Sequence, residues 1–206
     1  MCLVIHKPRD ARIPEELLAS AAEFNPDGFG ILSFDESRGF DLRRRSRTSA
    51  AELLRLYRER QSLECVLHLR YRTRGAISLD NTQPLRITND LYMVHNGTID
   101  LDLHAPGRSD TWHLIDDYLR PILRRRPELI YEAAFERLIR AWTGEHNRFV
   151  FMDARRGATI VVNRESGVAW SGLWLSNSRW FDTTRFDGFR DRAAPVPARR
   201  DLAFLT

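Results

Sequence analysis

A strand-like run stands at the start of this chain, others crowd its final third, and helical periodicity lies between. Leu3-Val-Ile-His6 is short, apolar and β-rich. From Arg148 onward the pattern is strand again, over Arg148–Met152, Thr159–Asn163, Val168–Trp170 and Leu173–Ser176. The N-terminal strand and the strand-rich final third can pair in packed sheets, with the helices outside. The expectation is an α+β fold in which the first and last strands share packed sheets. At 206 residues this is one domain with a sizeable core.

Between the ends, Pro14 opens a helical pattern with Leu17, Leu18, Ala21 and Ala22 on one face, up to Phe24. Asn25-Pro-Asp-Gly-Phe-Gly30 is a turn cluster. Strands Phe29–Phe34 and Phe40–Arg44 follow, split by a polar turn with Gly39. Thr48 is expected to cap a helix running to Arg60, with Leu53, Leu54, Leu56 and Tyr57 inside. Glu64–Tyr71 and Leu91–His95 read as strands. A helix starts at Ser109 or Asp110, carries Leu114, Ile115, Tyr118 and Leu119, and is expected to kink at Pro121. Another, Glu128–Trp142, follows Pro127. The domain is expected to span residues 1–180, with 181–206 an irregular tail packed on it.

Composition narrows the function. No apolar run approaches the length of a membrane span, and the N-terminus carries no apolar signal segment. Two cysteines, Cys2 and Cys65, make no disulfide framework, so a reducing cytoplasm is expected. Net charge is +4, and the basic residues are almost all arginine, with Lys7 the one lysine. The runs Arg43–Arg45 and Arg124–Arg126 are dispersed among acids, so they read as solvated faces rather than as nucleic-acid contacts.

The chemistry gathers around Cys2. With a small second residue, Met1 is expected to be removed, leaving a thiol and a free α-amine on one residue. The amine titrates near 8 and a free thiol near 8.5, so one can take the proton of the other near neutral pH. On its position alone, Cys2 also reads as a small hydrophobe opening a strand. Other polar segments weigh against that. Arg70, at the end of His68-Leu-Arg-Tyr-Arg-Thr-Arg-Gly75, presents a planar fork suited to a carboxylate. Asn96-Gly97 closes the next strand, where an amide beside a glycine N–H can stabilise a developing oxyanion, although the pair is also a common hairpin turn. Asp110, in Arg108-Ser-Asp-Thr111, can accept an ammonium or cap a helix. His68 and His95 lack a third ligand for a metal, and Cys65, alternating inward, reads as inert core.

Taken in order, Cys2, Asp27-Gly-Phe-Gly-Ile31, His68–Gly75, His95-Asn-Gly97 and Ser109-Asp-Thr111 resemble the class II glutamine amidotransferases, members of the N-terminal-nucleophile hydrolases. The resemblance runs from Cys2 to about Ser178. It implies a four-layer αββα sandwich of two mainly antiparallel sheets with outer helices. It also implies that Cys2 attacks the side-chain amide of L-glutamine with its own amine as base, releasing ammonia and then glutamate through a thioester. Asn96 and the Gly97 N–H would hold the oxyanion. Arg70, helped by Thr73, would bind the α-carboxylate, and Asp110, helped by the Gly97 backbone, the α-amino group. No metal or cofactor is called for, and the ammonia is expected to pass to a separate synthetase or ligase in trans. The chain departs from the family pattern in having Arg72 for a small residue, Gln83 for a His, Trp112 for a Glu and Cys-Leu for Cys-Gly. Two alternatives stay open at this level: an amidase of the same type acting on another γ-glutamyl or small amide, and a catalytically degenerate binding or regulatory module.

Overall fold

The elements follow the apolar periodicities in chain order. β1 (Leu3–Lys7) and α1 (Glu15–Phe24) lead into a hairpin, β2 (Phe29–Asp35) and β3 (Gly39–Arg45). After these come α2 (Ala50–Arg58), β4 (Glu64–Leu69), the two-residue β5 (Leu85–Arg86) and β6 (Leu91–Asn96). α3 (Asp110–His113) continues through a π-helical stretch, Leu114–Leu119, into α4 (Arg120–Leu123). Then α5 (Ala133–Thr143), β7 (Arg148–Asp153), β8 (Ala158–Val162), β9 (Val168–Trp170) and β10 (Leu173–Leu175) complete the fold. This computed structural model describes residues 2–35, 37–179 and 185–186.

The strands form two antiparallel sheets, a six-stranded one in the order β3-β2-β4-β1-β10-β9 and a four-stranded one in the order β5-β6-β7-β8. The first and last strands do pair, with Ile5 opposite Leu175. Alternation along β1 sends Leu3 and Ile5 to one face and Val4 to the other, and all three are buried. Both faces are covered because three apolar clusters stack through the molecule. Leu3 and Ile5 join Leu17, Leu18, Leu53 and Leu56 of α1 and α2. Val4 joins Leu32, Val66, Val94, Val150 and Trp174 between the two sheets. Leu91, Met93, Phe149 and Phe151 meet Leu114, Ile115 and Ile139 on the far side. These cores separate four layers in αββα order.

Several local expectations are corrected. Ser49, not Thr48, caps α2, accepting from the Glu52 N–H. Thr48 pins the preceding turn, donating to the Asn25 carbonyl and accepting from the Gly28 N–H. The Glu128–Trp142 helix is broken: Pro127–Tyr131 is a 3-10 turn, and Glu132 is extended before α5 begins. Pro121 lies within the continuous helical run at 110–123, which does not end there. It sits just after the π-helical stretch, where the Arg120 N–H reaches back to the Ile115 carbonyl. The strand from Glu64 ends at Leu69 rather than Tyr71. Of the 181–206 tail, only Arg185 and Phe186 fall among the described residues, and Phe186 packs on Trp170.

Candidate active site

Cys2, Arg70, Thr73, Gly97 and Asp110 line one cleft. They come from distant parts of the chain, and the sheets bring them together. β1 and β4 are antiparallel neighbours with Leu3 opposite Leu69, so Cys2 and Arg70 extend from adjacent strand ends. Asp27-Gly-Phe-Gly30 clasps the outgoing chain. The Asp27 N–H donates to the Arg70 carbonyl at 3.1 Å, its carboxylate accepts from the Arg72 N–H at 2.8 Å, and the Arg70 N–H donates to the Gly28 carbonyl at 2.7 Å. Gly30 lies so close to the Gln83-Pro84 backbone that a Cβ there would strike the Gln83 carbonyl.

Cys2 is partly exposed, and its thiol faces the Tyr71 carbonyl at 3.5 Å. Burial pushes the thiol pKa up, while the charge of Arg70 pulls the other way. The backbone carbonyl of Cys2 is held by two side-chain amides, Asn96 and Asn177, the latter at 3.0 Å. Arg70 is only 4% exposed. Its fork donates to the Ala76 carbonyl at 2.9 Å and the Arg74 carbonyl at 3.1 Å, which leaves other N–H donors of the guanidinium uncommitted. Asp110 stands at the start of α3, and Ser109 is the cap, accepting from the Trp112 N–H. Both Asp110 oxygens accept backbone N–H groups, from Ile99 and Thr111, each at 2.8 Å. Each oxygen keeps a further lone pair. Thr73 is exposed at the cleft rim.

Asn96 is the one sequence-named residue that does not line the cleft; its amide is spent on the Cys2 carbonyl and its own oxygen has no partner. Gly97 adopts φ +151, and a Cβ on it would strike the Asn147 side chain. Behind this loop lies a buried network. His95 bonds Thr111 at 2.9 Å and Asn147 at 2.8 Å, and Gln83 accepts from the His95 N–H at 2.5 Å and donates to Thr111 at 3.3 Å. Burial pulls the His95 pKa down, so the ring stays neutral. Gln83 is thus built into the wall.

The sequence reading missed Ser176 and Asn177. Ser176 accepts from the Val4 N–H and donates its own N–H to the Val4 carbonyl, both at 2.9 Å, which fixes the start of β1. Two polar residues ending an apolar strand are the only signal that could have marked them. Cys65 is buried, and burial pushes its thiol up to about 12. Among the described residues no cluster of metal-binding side chains occurs, and no helix is long and apolar enough to cross a membrane.

Residues 17–151 match the family described as glutamine amidotransferases, class II. The chain belongs to this family. The matched stretch of this class II amidotransferase contains Arg70, Thr73, Asn96, Gly97 and Asp110, and begins after Cys2. Solved structures with a similar fold include the glutamine phosphoribosylpyrophosphate amidotransferase from B. subtilis complexed with ADP and GMP, at 15% identity and TM-score 0.48. Another is described as the allosteric regulatory enzyme of purine biosynthesis, at 16% identity and TM-score 0.47. The match takes in 85% of the present chain in the first comparison and 84% in the second, but only 41% and 40% of those longer chains. No curated protein sequence matches it.

Proposed function

We propose that this class II amidotransferase hydrolyses the side-chain amide of glutamine, with Cys2 as nucleophile. The observation that carries the reading is the shared cleft of Cys2, Arg70, Thr73, Gly97 and Asp110. A thiol with a raised pKa is protonated near neutral pH, so it needs a proton acceptor before it can attack. Once Met1 is removed, the α-amine of Cys2 is that acceptor. The sulfur adds to the glutamine carboxamide carbon, and the proton passes through the amine to the leaving nitrogen. Ammonia departs and a γ-glutamyl thioester remains. Water then cleaves the thioester and restores the thiol.

The remaining groups bind the amino-acid end of glutamine and the charge that develops on its amide. The uncommitted N–H donors of Arg70, with the Thr73 hydroxyl at the rim, take the α-carboxylate. Asp110, held in place by two backbone N–H groups, accepts the α-ammonium. The Gly97 N–H and the Asn96 amide hold the oxyanion, which requires the Asn96 amide to turn from the Cys2 carbonyl when substrate enters. Ammonia that escapes to water is protonated and lost as a nucleophile, so the proposal includes an acceptor enzyme that consumes it.

A glutamine-analogue electrophile and intact-mass spectrometry of untagged protein test this. The expected result is loss of Met1 and one adduct, on the Cys2 peptide and not on Cys65. A retained Met1, or an unlabelled Cys2 beside a labelled Cys65, overturns it.

A further inference from the structure

At the other end of β6 from the cleft, the turn after β5 and the helix α4 enclose an open pocket of about 650 Å³. Four arginines line it: Arg86 from β5, Arg120 and Arg124 from the α4 region, and Arg155 after β7. The carboxylate among the lining residues is Asp90. Two of the guanidiniums are oriented from behind. Arg120 pairs with Asp116 and donates to the Ile87 and Arg86 carbonyls at 3.3 and 3.1 Å, which ties it to the turn. Arg155 forks onto the buried Asp153 at 2.9 and 3.1 Å. Among the described residues no ion pair closes on Arg86 or Arg124. Arg120 feels both: burial lowers its pKa first, and the like charges of Arg124 and Arg86 lower it further.

Asp116 and Asp153 pair Arg120 and Arg155, so the surplus positive charge of the cavity comes from Arg86 and Arg124, and an anion bound between these two relieves their repulsion. We propose that this pocket binds the diphosphate group of a small molecule. A planar fork matches phosphate oxygens bidentately, and the two forks without a carboxylate partner, Arg86 from β5 and Arg124 from the α4 region, come from separate segments, which suits a group with several oxygens and more than one charge. The polar lining, with Thr88 and Asn89 beside the arginines, fits a charged ligand rather than an apolar one, and the volume fits a small molecule. The strand that separates pocket from cleft, Leu91–Asn96, spans roughly 17 Å at the usual rise per residue.

Calorimetric titration of the full chain with inorganic pyrophosphate is the test. Saturable one-to-one binding is expected. The double variant R86A/R124A should weaken it by about tenfold or more, because each charge-assisted hydrogen bond lost is worth that order. The double variant R43A/R47A, which removes equal charge from β3 and the bend that follows it, should leave it unchanged. Labelling of Cys2 by the glutamine analogue, equal in both variants and the parent, reports an intact fold. No saturation at millimolar pyrophosphate, or equal loss in both double variants, overturns the proposal.

Discussion

Cys2 and Arg70 sit side by side because Leu3 and Leu69 are paired, so a single register fixes the distance between the proposed nucleophile and the proposed carboxylate clamp. Cys2→Ala should therefore remove glutamine hydrolysis, down to the uncatalysed rate, while leaving far-ultraviolet circular dichroism and the melting temperature near the parent values. The side chain lost is small and partly exposed, and its backbone carbonyl keeps the amides of Asn96 and Asn177. Ammonia release above background from that variant would remove Cys2 from the mechanism. The clamps give a different signature. Arg70→Ala and Asp110→Asn should each raise KM for glutamine by roughly tenfold to a hundredfold, the worth of a charge-assisted hydrogen bond, with a smaller fall in kcat. Arg70→Lys should rescue little, because an ammonium cannot reproduce the fork that also reaches the Ala76 and Arg74 carbonyls. Steady-state kinetics decide it, and an unchanged KM in both variants would take the amino-acid end of glutamine away from this cleft.

The turn that ends β6 is where element geometry and chemistry meet. Gly97 needs a φ of +151 and has the Asn147 side chain where a Cβ would go. Gly97→Ala should cost about 2–4 kcal/mol of stability through backbone strain and the forced shift of Asn147, and it should lower kcat by displacing the N–H proposed to face the oxyanion. Chemical denaturation and single-turnover kinetics check the two parts separately; an alanine variant with parental stability would show that the loop tolerates other geometry. This element was legible because Asn-Gly after an alternating apolar run is a local signal, as are the glycines of Asp27–Gly30 and the fork at Arg70. The elements that escaped the sequence are those decided by distant partners. β5 is two residues long and exists only by pairing Leu85 and Arg86 with Met93 and Tyr92. The helix expected from Glu128 breaks at an extended Glu132, and the preceding Tyr131 hydroxyl bonds Asp153, across the layer at 2.9 Å. Asn177 became part of the site through pairing of the last strand with the first, which no local pattern encodes. Thr48 and Ser49 are both competent caps, and the Asn25 carbonyl and Gly28 N–H that claim Thr48 belong to a turn far away in sequence.

At the scale of the whole molecule, two sheets pressed face to face leave little room for a titratable group, yet His68 lies between them. It is fully buried, opposite Val4 on one side and Gly30 on the other. Neither ring nitrogen has a hydrogen-bond partner. Burial, with smaller contributions from Arg70 and His95, drives its pKa down to about 3. The unfolded chain, in contrast, protonates this ring near 6.5. Between those values the unfolded state binds one more proton than the native state, so stability rises with pH across that window and falls as pH drops below 6.5. The slope from this residue alone is about 1.4 kcal/mol per pH unit, or about 2 kcal/mol between pH 6.5 and 5. His95, whose pKa burial also lowers, adds to it with the same sign. His68→Met fills the same space without a titrating ring, so urea unfolding of the variant should show a shallower loss between pH 6.5 and 5, by about the contribution of one proton. At pH 7 the variant should be at least as stable as the parent, since it no longer buries two unpartnered nitrogens. A variant with the parent's full acid slope would mean that His68 keeps an ordinary pKa and that water reaches the space between the sheets.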